Sequence, residues 1–232
     1  MSGERSPGRS PRRLRLGILG AGRIARRAIA PAALAARNVE FVAAASRDPE
    51  RARSLGAERA YDSYDALLDD AGVDAVFITT HNGLHGELAI AAFRRGKHVI
   101  CEKPLGMNAA ECERMVAAAE QADRMLMEAF MYRYHPQVAA LQDVVRLGRV
   151  GEVRHVSASF HFQLTRPDDV RLVREFGGGA LLDVGCYCVN ASRLFLGEDV
   201  AEVAATAVTS GPDGVDLEGR ATLSCAGGAA AD

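Results

Sequence analysis

The 232-residue sequence has no run of eighteen or so apolar residues, because even its Ala-rich stretches are interrupted by Arg, Glu or Asp. No transmembrane helix is therefore expected. It also lacks an excess of either charge: 28 Lys and Arg against 30 Asp and Glu leave a formal net charge of -2. That balance supplies no overall positive field to hold a polyanion such as DNA. Cysteine is sparse as well. Cys101, Cys112, Cys186, Cys188 and Cys225 are odd in number and include no C-x-x-C, so neither a disulfide framework nor a zinc knuckle is suggested and no metal site is expected. Cys186 and Cys188 sit in an apolar segment and read as small core residues. Arg5, Arg9, Arg12 and Arg13 lie among Ser, Pro and Gly with no apolar segment behind them. Residues 1–13 thus read as a disordered tail rather than a signal peptide. The expectation is a cytoplasmic protein with neither nucleic acid nor membrane as partner.

What is present is an ordinary globular composition, 48% hydrophobic and 25% charged with 23 Gly, enough to bury a core. From Leu14 to about Met131, short apolar runs alternate with amphipathic stretches, the rhythm of repeated strand-helix units and hence of a doubly wound parallel sheet. Leu14 to Leu19, Phe41 to Ala45, Ala75 to Thr79, His98 to Cys101 and Met125 to Phe130 read as buried strands, with a weaker one at Arg59 to Tyr61. Asn82 is expected to open a helix that closes at Gly96, and Asn108 one that reaches about Ala122. After Tyr134 the pattern changes. A helix ends at Gly148, and Val156, Ala158, Phe160, Phe162 and Leu164 alternate with polar residues, which predicts a long strand from Val153 to Leu164. Gly177-Gly178-Gly179 leads into a helix over Ala180 to Leu196. Val200 to Ser210 and Val215 to Ser224 read as strands joined by Gly211-Pro212-Asp213-Gly214, and Gly227 to Asp232 carries no strand or helix signal. The fold class is therefore α/β: a Rossmann-type dinucleotide domain over 14–131, then an α+β domain over 132–232 with an open, mainly antiparallel sheet of about three strands.

Gly20-Ala21-Gly22-Arg23-Ile24-Ala25 fits G-x-G-x-x-G/A and lies directly after a strand and at the mouth of a helix. Gly20 permits the tight turn, Gly22 admits a pyrophosphate to the backbone, and Ala25 is small enough for close helix-strand packing. A Gly-rich turn that binds nothing is the competing reading. The ribose is read at the end of the second strand, where Ser46 and Arg47 stand. A carboxylate there would serve NAD and repel a 2'-phosphate, whereas Arg accommodates it, so NADP is favoured and NAD is left open by Asp48. Asp48 reads better as the cap of a helix starting at Pro49.

In a doubly wound sheet, residues that follow the carboxyl ends of the strands share one crevice, and here they are Gly22, Ser46, Thr80, His81, Asn82, Lys103 and Tyr132. Within Glu102-Lys103-Pro104, Lys103 is either a positioned, desolvated proton carrier or a solvated surface Lys. Asp183 and Tyr187 are four residues apart and so share one helix face. They read either as a proton-carrying phenol with an orienting carboxylate, or as a helix-dipole acid beside a core Tyr.

Taken together, Gly20 to Ala25, Asn82 and His85, Gly96 to Pro104 and Asp183-x-x-x-Tyr187 resemble the glucose-fructose oxidoreductase, inositol dehydrogenase and rhizopine-catabolism (Gfo/Idh/MocA) family of NAD(P)-dependent oxidoreductases. The stretches Glu128 to Pro136 and Gly177 to Tyr187 are similar to its branch of NADP-dependent D-xylose dehydrogenases and dimeric dihydrodiol dehydrogenases. The resemblance implies hydride transfer between NADP(H) and a carbinol or hemiacetal carbon of a sugar or cyclic diol. It further implies cofactor binding by Gly20, Gly22, Arg23, Ile24, Ser46, Arg47, Thr80, Asn82, His85, Glu102 and Lys103. Catalysis would fall to Lys103, Tyr187 and Asp183, with Arg133 and Arg171 lining the substrate pocket and a cis bond at Lys103-Pro104. His81 stands where the family usually shows Pro. Relatives continue with further strands, so an incomplete sheet with an unpaired edge is expected, along with a homodimer through the second-domain sheet. A catalytically silent dinucleotide-binding protein that depends on a partner is the alternative.

Overall fold

The computed structural model describes residues 12–210 and 214–232. Most of the expected Arg-rich tail and the turn residues Gly211 to Asp213 lie outside the described residues. Arg12 and Arg13 lie inside them and are held: Arg12 reaches the Asp74 carboxylate at 3.3 Å, and Arg13 Nε donates to the Val39 carbonyl at 2.9 Å. The chain divides into two compact units. The first runs through Thr80 and adds Glu87–Cys101 and Arg114–Met127, and the second takes His81–Gly86, Glu102–Glu113 and Glu128–Asp232.

The first unit is built on a six-stranded sheet of order β3-β2-β1-β4-β5-β6. Its strands are β1 (Leu14–Leu19), β2 (Val39–Ala45), β3 (Arg59–Tyr61), β4 (Ala75–Ile78), β5 (His98–Cys101) and β6 (Leu126–Glu128). The β1/β2, β1/β4, β2/β3 and β4/β5 pairs are parallel, which gives the doubly wound order in which the chain reverses direction beside its first strand. Apolar runs form the strands because both faces are covered. Ile18, Leu19, Ala43, Ala44, Ala45, Val76 and Ile78 are all buried, each large side chain contributing roughly 1.5–3 kcal/mol of burial. β6 is shorter than expected because Phe130 and Met131 turn back onto the carbonyls of Glu128 and Ala129.

Helices α1 (Ala30–Ala35), α2 (Pro49–Arg53), α3 (Tyr64–Leu68), α4 (His85–Arg94) and α5 (Ala109–Gln121) connect the strands. The helix after the Gly-rich loop passes through a widened turn, Ala25–Ile29, before α1. Pro31 supplies the reason: it has no N–H for the carbonyl one turn back, and its ring crowds that carbonyl. Asp48 caps α2 by accepting from the Glu50 and Arg51 amides, and Asn108 caps α5 by accepting from Glu111 N at 3.0 Å. Asn82 corrects the expected pattern. The helix opens with a tight turn, Asn82–Leu84, preceded by His81 with no side-chain cap, and the Asn82 amide instead donates to the Gly177 carbonyl at 2.7 Å.

The second unit contains α6 (Pro136–Arg146), α7 (Cys186–Leu196) and a four-stranded sheet of order β7-β10-β9-β8 among the described residues. Here β8 (Val200–Thr209) and β9 (Asp216–Cys225) form a long antiparallel ribbon. Two expectations fail. The predicted strand Val153 to Leu164 shrinks to β7 (His155–Val156), and the supposedly featureless end contains β10 (Ala230–Ala231), which pairs parallel with β7 and antiparallel with β9. One cause accounts for both. A strand needs a ladder as well as a pattern: the Ala158 amide still finds the Asp232 carbonyl at 2.8 Å, and beyond it the alternating residues meet no partner strand among the described residues. β10 is formed by Ala and Gly-flanked sequence of low strand propensity, placed by its two neighbours rather than by its own preference.

The sheet of the first unit is tied at its base by an ion pair. Arg15 engages Asp74 through Nε at 3.0 Å and through a terminal nitrogen at 2.6 Å, while its amide donates to the same carboxylate at 3.0 Å. The Arg15 guanidinium thereby lowers the Asp74 carboxyl to about 2. Because the folded value lies below the unfolded one, the stabilisation is present above about pH 4 and is lost as pH falls through about 2. Asp74→Asn is expected to lower Tm at neutral pH, with the difference from the unsubstituted protein closing as the pH of thermal melts falls toward about 2. A difference that stays constant across that range would remove the ion pair as its cause.

Candidate functional site

In the first unit, Gly20 leaves β1 with φ +100, and a Cβ there would stand 2.9 Å from Thr79 Oγ1 and 3.1 Å from the Thr79 carbonyl carbon. The fold itself therefore requires this glycine. Gly22 is different, since a Cβ there would meet only the Thr79 carbonyl oxygen, at 3.9 Å. Nothing in the protein's own packing demands glycine at 22, and what its missing side chain leaves open is approach to the backbone from outside. Thr79 fixes the loop by donating from Oγ1 to the Leu19 and Gly20 carbonyls, both at 3.0 Å. Arg23 and Ile24 are exposed. At the end of β2, Ser46 is buried, and its Oγ accepts from the Asp48 amide at 3.2 Å. The next residue, Arg47, is exposed and makes no ion pair among the described residues. Asp48 is occupied in capping α2 and pairing with Arg51 at 3.2 Å. The loop, the buried Ser and the unpaired guanidinium together fit a dinucleotide carrying a 2'-phosphate.

The second unit brings together Lys103, Asp183, Tyr187 and Arg171. The Lys103-Pro104 peptide bond is cis. The Lys103 side chain is only 15% exposed, and Nζ donates to the Asp183 carbonyl at 2.7 Å and to Asp183 Oδ1 at 3.3 Å. It also stands 5.1 Å from the centre of the Tyr187 ring, a distance at which the ring face attracts a cation. Arg171 occupies the other carboxylate oxygen of Asp183, with Nε donating to Oδ2 at 2.6 Å. Tyr187 packs among Phe130, Tyr132 and Phe160, with ring centres 5.4, 6.0 and 5.5 Å away. Burial, reinforced by the Glu102 carboxylate, pushes the Tyr187 phenol up to about 12. Burial likewise raises the Glu102 carboxyl against the pull of Lys103. The arrangement offers a fixed ammonium beside a phenol that keeps its proton at neutral pH.

Other predicted residues are placed as supports. His85 is fully buried, and its Nδ1 lies 2.8 Å from the Pro104 carbonyl, next to the cis bond. Asn82 holds Gly177, and the His81 ring lies 4.4 Å from that of Phe176. Arg133 lines a separate groove of about 680 Å³ with Leu182, Cys186, Asn190 and Arg193, and neither Lys103, Asp183 nor Tyr187 contributes to its wall. Three supporting residues were not foreseen. Asp169 accepts from Arg171. Asn190 accepts from the Tyr132 hydroxyl at 2.5 Å. Asp216 accepts from the Leu181 amide at 2.6 Å, at the start of the widened turn Leu181–Gly185 that bears Asp183 and runs directly into α7 with Tyr187. The last had a sequence signal: Gly177-Gly178-Gly179 offers no capping side chain, so the cap had to come from elsewhere in the chain.

Comparison with known proteins agrees with the two-part fold. The oxidoreductase family with NAD-binding Rossmann fold matches residues 14–130, and the GFO/IDH/MocA C-terminal domain matches residues 138–232. D-xylose 1-dehydrogenase (NADP(+)) 2 of Haloferax volcanii is 42% identical over 220 residues, covering 93% of this chain and 67% of that protein. Trans-1,2-dihydrobenzene-1,2-diol dehydrogenase of Xenopus tropicalis is 34% identical over 196 residues, 82% of this chain and 59% of its own length. Among solved structures, KijD10, a 3-ketoreductase from Actinomadura kijaniata in complex with NADP and TDP-benzene, superposes with a TM-score of 0.88 at 38% identity, covering 94% of this chain and 68% of that one. The chain thus spans about two thirds, or less, of the length of the relatives it matches. No helix among the described residues is long and apolar enough to cross a membrane. The strand order, the Gly20 loop and both family matches make the chain a member of the Gfo/Idh/MocA family of NAD(P)-dependent oxidoreductases.

Proposed function

We propose that this chain carries the catalytic machinery of an NADP-dependent oxidoreductase acting on a sugar or related cyclic alcohol, D-xylose-like or trans-dihydrodiol-like. Residues 14–131 would be the dinucleotide domain and 132–232 the substrate domain. The observation that carries the reading is the Lys103 ammonium held by Asp183 beside the protonated phenol of Tyr187. The named relatives support it, one a xylose dehydrogenase using NADP and one a ketoreductase crystallised with NADP.

NADP(H) supplies the hydride acceptor or donor. In the loop, the backbone at Gly20, Gly22, Arg23 and Ile24 would hold the pyrophosphate, and Ser46 and Arg47 would hold the 2'-phosphate. Thr80, Asn82, His85 and Glu102 would complete the set of cofactor-binding residues. In the reducing direction, NADPH would supply the hydride, and this chain's own residues would supply the proton to the substrate oxygen. Tyr187 is the proton donor, because a phenol held up at about 12 is protonated across the physiological range. Lys103 stabilises the developing oxyanion and Asp183 holds Lys103 in place. Of the two arginines expected at the substrate pocket, Arg171 adjoins this cluster through Asp183, whereas Arg133 lies in the separate groove.

The reading extends to a cytoplasmic setting, where NADP(H) is drawn upon, and to a homodimer through the second-unit sheet. Beyond the buried Leu223, Val203, Ala205, Ala207, Gly219 and Ala221 of the ribbon are exposed, with Ala205 paired to Ala221 and Ala207 to Gly219, and Val203 is 63% exposed. An open apolar face of this kind is a common site of self-association. Sedimentation of the purified protein at micromolar concentration should show a dimer that Val203→Glu dissociates, and a monomer throughout would end this part of the proposal.

Two sets of variants test the rest. Gly22→Ala should fold with unchanged Tm yet bind NADPH at least about tenfold more weakly, since one blocked phosphate contact is worth roughly 1.5 kcal/mol or more. Arg47→Ala should weaken NADPH far more than NADH in parallel fluorescence titrations, and equal losses would take away the reason for preferring NADP. Lys103→Met and Tyr187→Phe should each lower turnover by about 10²–10⁴-fold, with NADPH binding nearly intact. The pH profile of carbonyl reduction should show no limb from Tyr187 until well above neutrality. A limb near neutrality that disappears in Tyr187→Phe would reverse the assigned protonation.

A further inference from the structure

Arg171 stands where a substrate-binding cation would be useful, yet two of its three guanidinium nitrogens already donate to carboxylates. Nε donates to Asp183 Oδ2 at 2.6 Å, and a terminal nitrogen donates to Asp169 Oδ1 at 3.0 Å. The Arg171 amide donates to that same Asp169 oxygen at 3.1 Å, so Asp169 grips both ends of the residue, and the ring of Phe162 lies 5.8 Å from the guanidinium carbon. The Asp169 side chain is 13% exposed and that of Asp183 is 16% exposed. Two shielded carboxylates therefore flank one guanidinium, whose planar fork suits bridging them.

We infer that Asp169 and Arg171 are positioning residues for the proposed reaction: they clamp Asp183, which in turn fixes Lys103, and Arg171 is not an anion-binding group for substrate. The inference rests on the reading of Lys103 given above. The geometry assigns distinct tasks to the atoms of Asp183. Its carbonyl and Oδ1 face Lys103, and its Oδ2 is reserved for Arg171. Rotation of the carboxylate would break both contacts together, so the guanidinium fixes the side-chain angle that places Oδ1 on the ammonium. The chain Asp169, Arg171, Asp183, Lys103 alternates in sign, and a change of charge at its far end reaches Lys103 with a definite direction.

That direction makes the test. The charged or titratable groups facing Lys103 are Asp183 on one side, Glu102 beside it in sequence, and Cys186 and Tyr187 on the helix. None of them is altered by substitution at 169 or 171. Arg171→Met removes the cation that competes for Asp183, so Lys103 faces a less neutralised carboxylate and should hold its proton to higher pH. Asp169→Asn frees Arg171 to neutralise Asp183 more fully, so Lys103 should lose its proton at lower pH. Competitive acetylation of the full chain, followed by mass spectrometry of the Lys103 peptide across pH, reads this without turnover. Opposite shifts in the two variants, with Arg171→Lys returning toward the unsubstituted profile, are the expected result. Profiles that coincide, or shift in the same direction, would overturn the clamp.

Kinetics separate it from the reading it rests on. Both variants should lose kcat, by about 10-fold or more, with substrate KM little changed. A rise in KM at constant kcat would make Arg171 a substrate ligand and end the inference. Should the labelling shifts appear as described while Lys103→Met retains full turnover, the clamp stands and the catalytic role of Lys103 falls.

Discussion

One contact sets where the site-bearing helix begins, and the polar cluster depends on it. Asp216, at the first position of β9, accepts from the Leu181 amide at 2.6 Å, and its other carboxylate oxygen lies so close to Gly179 that a Cβ there would sit 2.1 Å away. Gly179 has φ +115, Gly178 would collide with the Arg171 carbonyl at 2.4 Å, and Gly177 would collide with Asn82 and Met107 at 2.5 Å. Their amides turn inward onto the carbonyls of Arg171, Val173 and Arg174. The triple glycine is therefore a point where four chain segments meet without room for side chains. Once the helix start is pinned there, Asp183 falls one turn in, with its carbonyl and carboxylate presented to Lys103 and Arg171.

The two units secure their geometry by different means. In the first, strands buried on both faces leave few options for register, because a shift of one residue would exchange large and small side chains throughout the core. In the second, the apolar cluster under the sheet is small, comprising Leu196, Leu223, Cys225, Ala229 and Ala231. A small core specifies little by shape alone, and directional contacts carry more of the burden: the Asp216 cap, the Asn82 amide on Gly177, and the pairing of Asp183 with two cations. Such contacts cost desolvation and add little net stability, but an alternative packing would leave their charges unpaired.

The parts legible in the sequence were those governed by local pattern. Strands β1, β2, β4 and β5 showed themselves as apolar runs and β3 more weakly, Asp48 and Asn108 as caps, and Asp183 and Tyr187 as neighbours one turn apart, although the turn between them is wider than that of a regular helix. What could not be read depended on partners distant in sequence. The alternation from Val156 to Leu164 is a correct strand pattern without a ladder, and β10 is a ladder without a strand pattern. Asn82 has the chemistry of a cap, but its amide is drawn to Gly177, 95 residues away. Arg171 could be seen as a cation near the site. That two carboxylates already claim it follows only from the fold.

Gly20 and Gly22 look equivalent in the sequence, and the structure shows that they answer to different pressures. The first is demanded by the backbone and by Thr79, the second by nothing in the protein's own interior. In a randomised library sorted only for well-folded molecules, position 20 would stay glycine while position 22 drifted to alanine and serine. Sorting the same library for retention on an immobilised nucleotide would restore glycine at both. The difference between the two enriched pools would separate what the architecture requires at this loop from what its ligand requires.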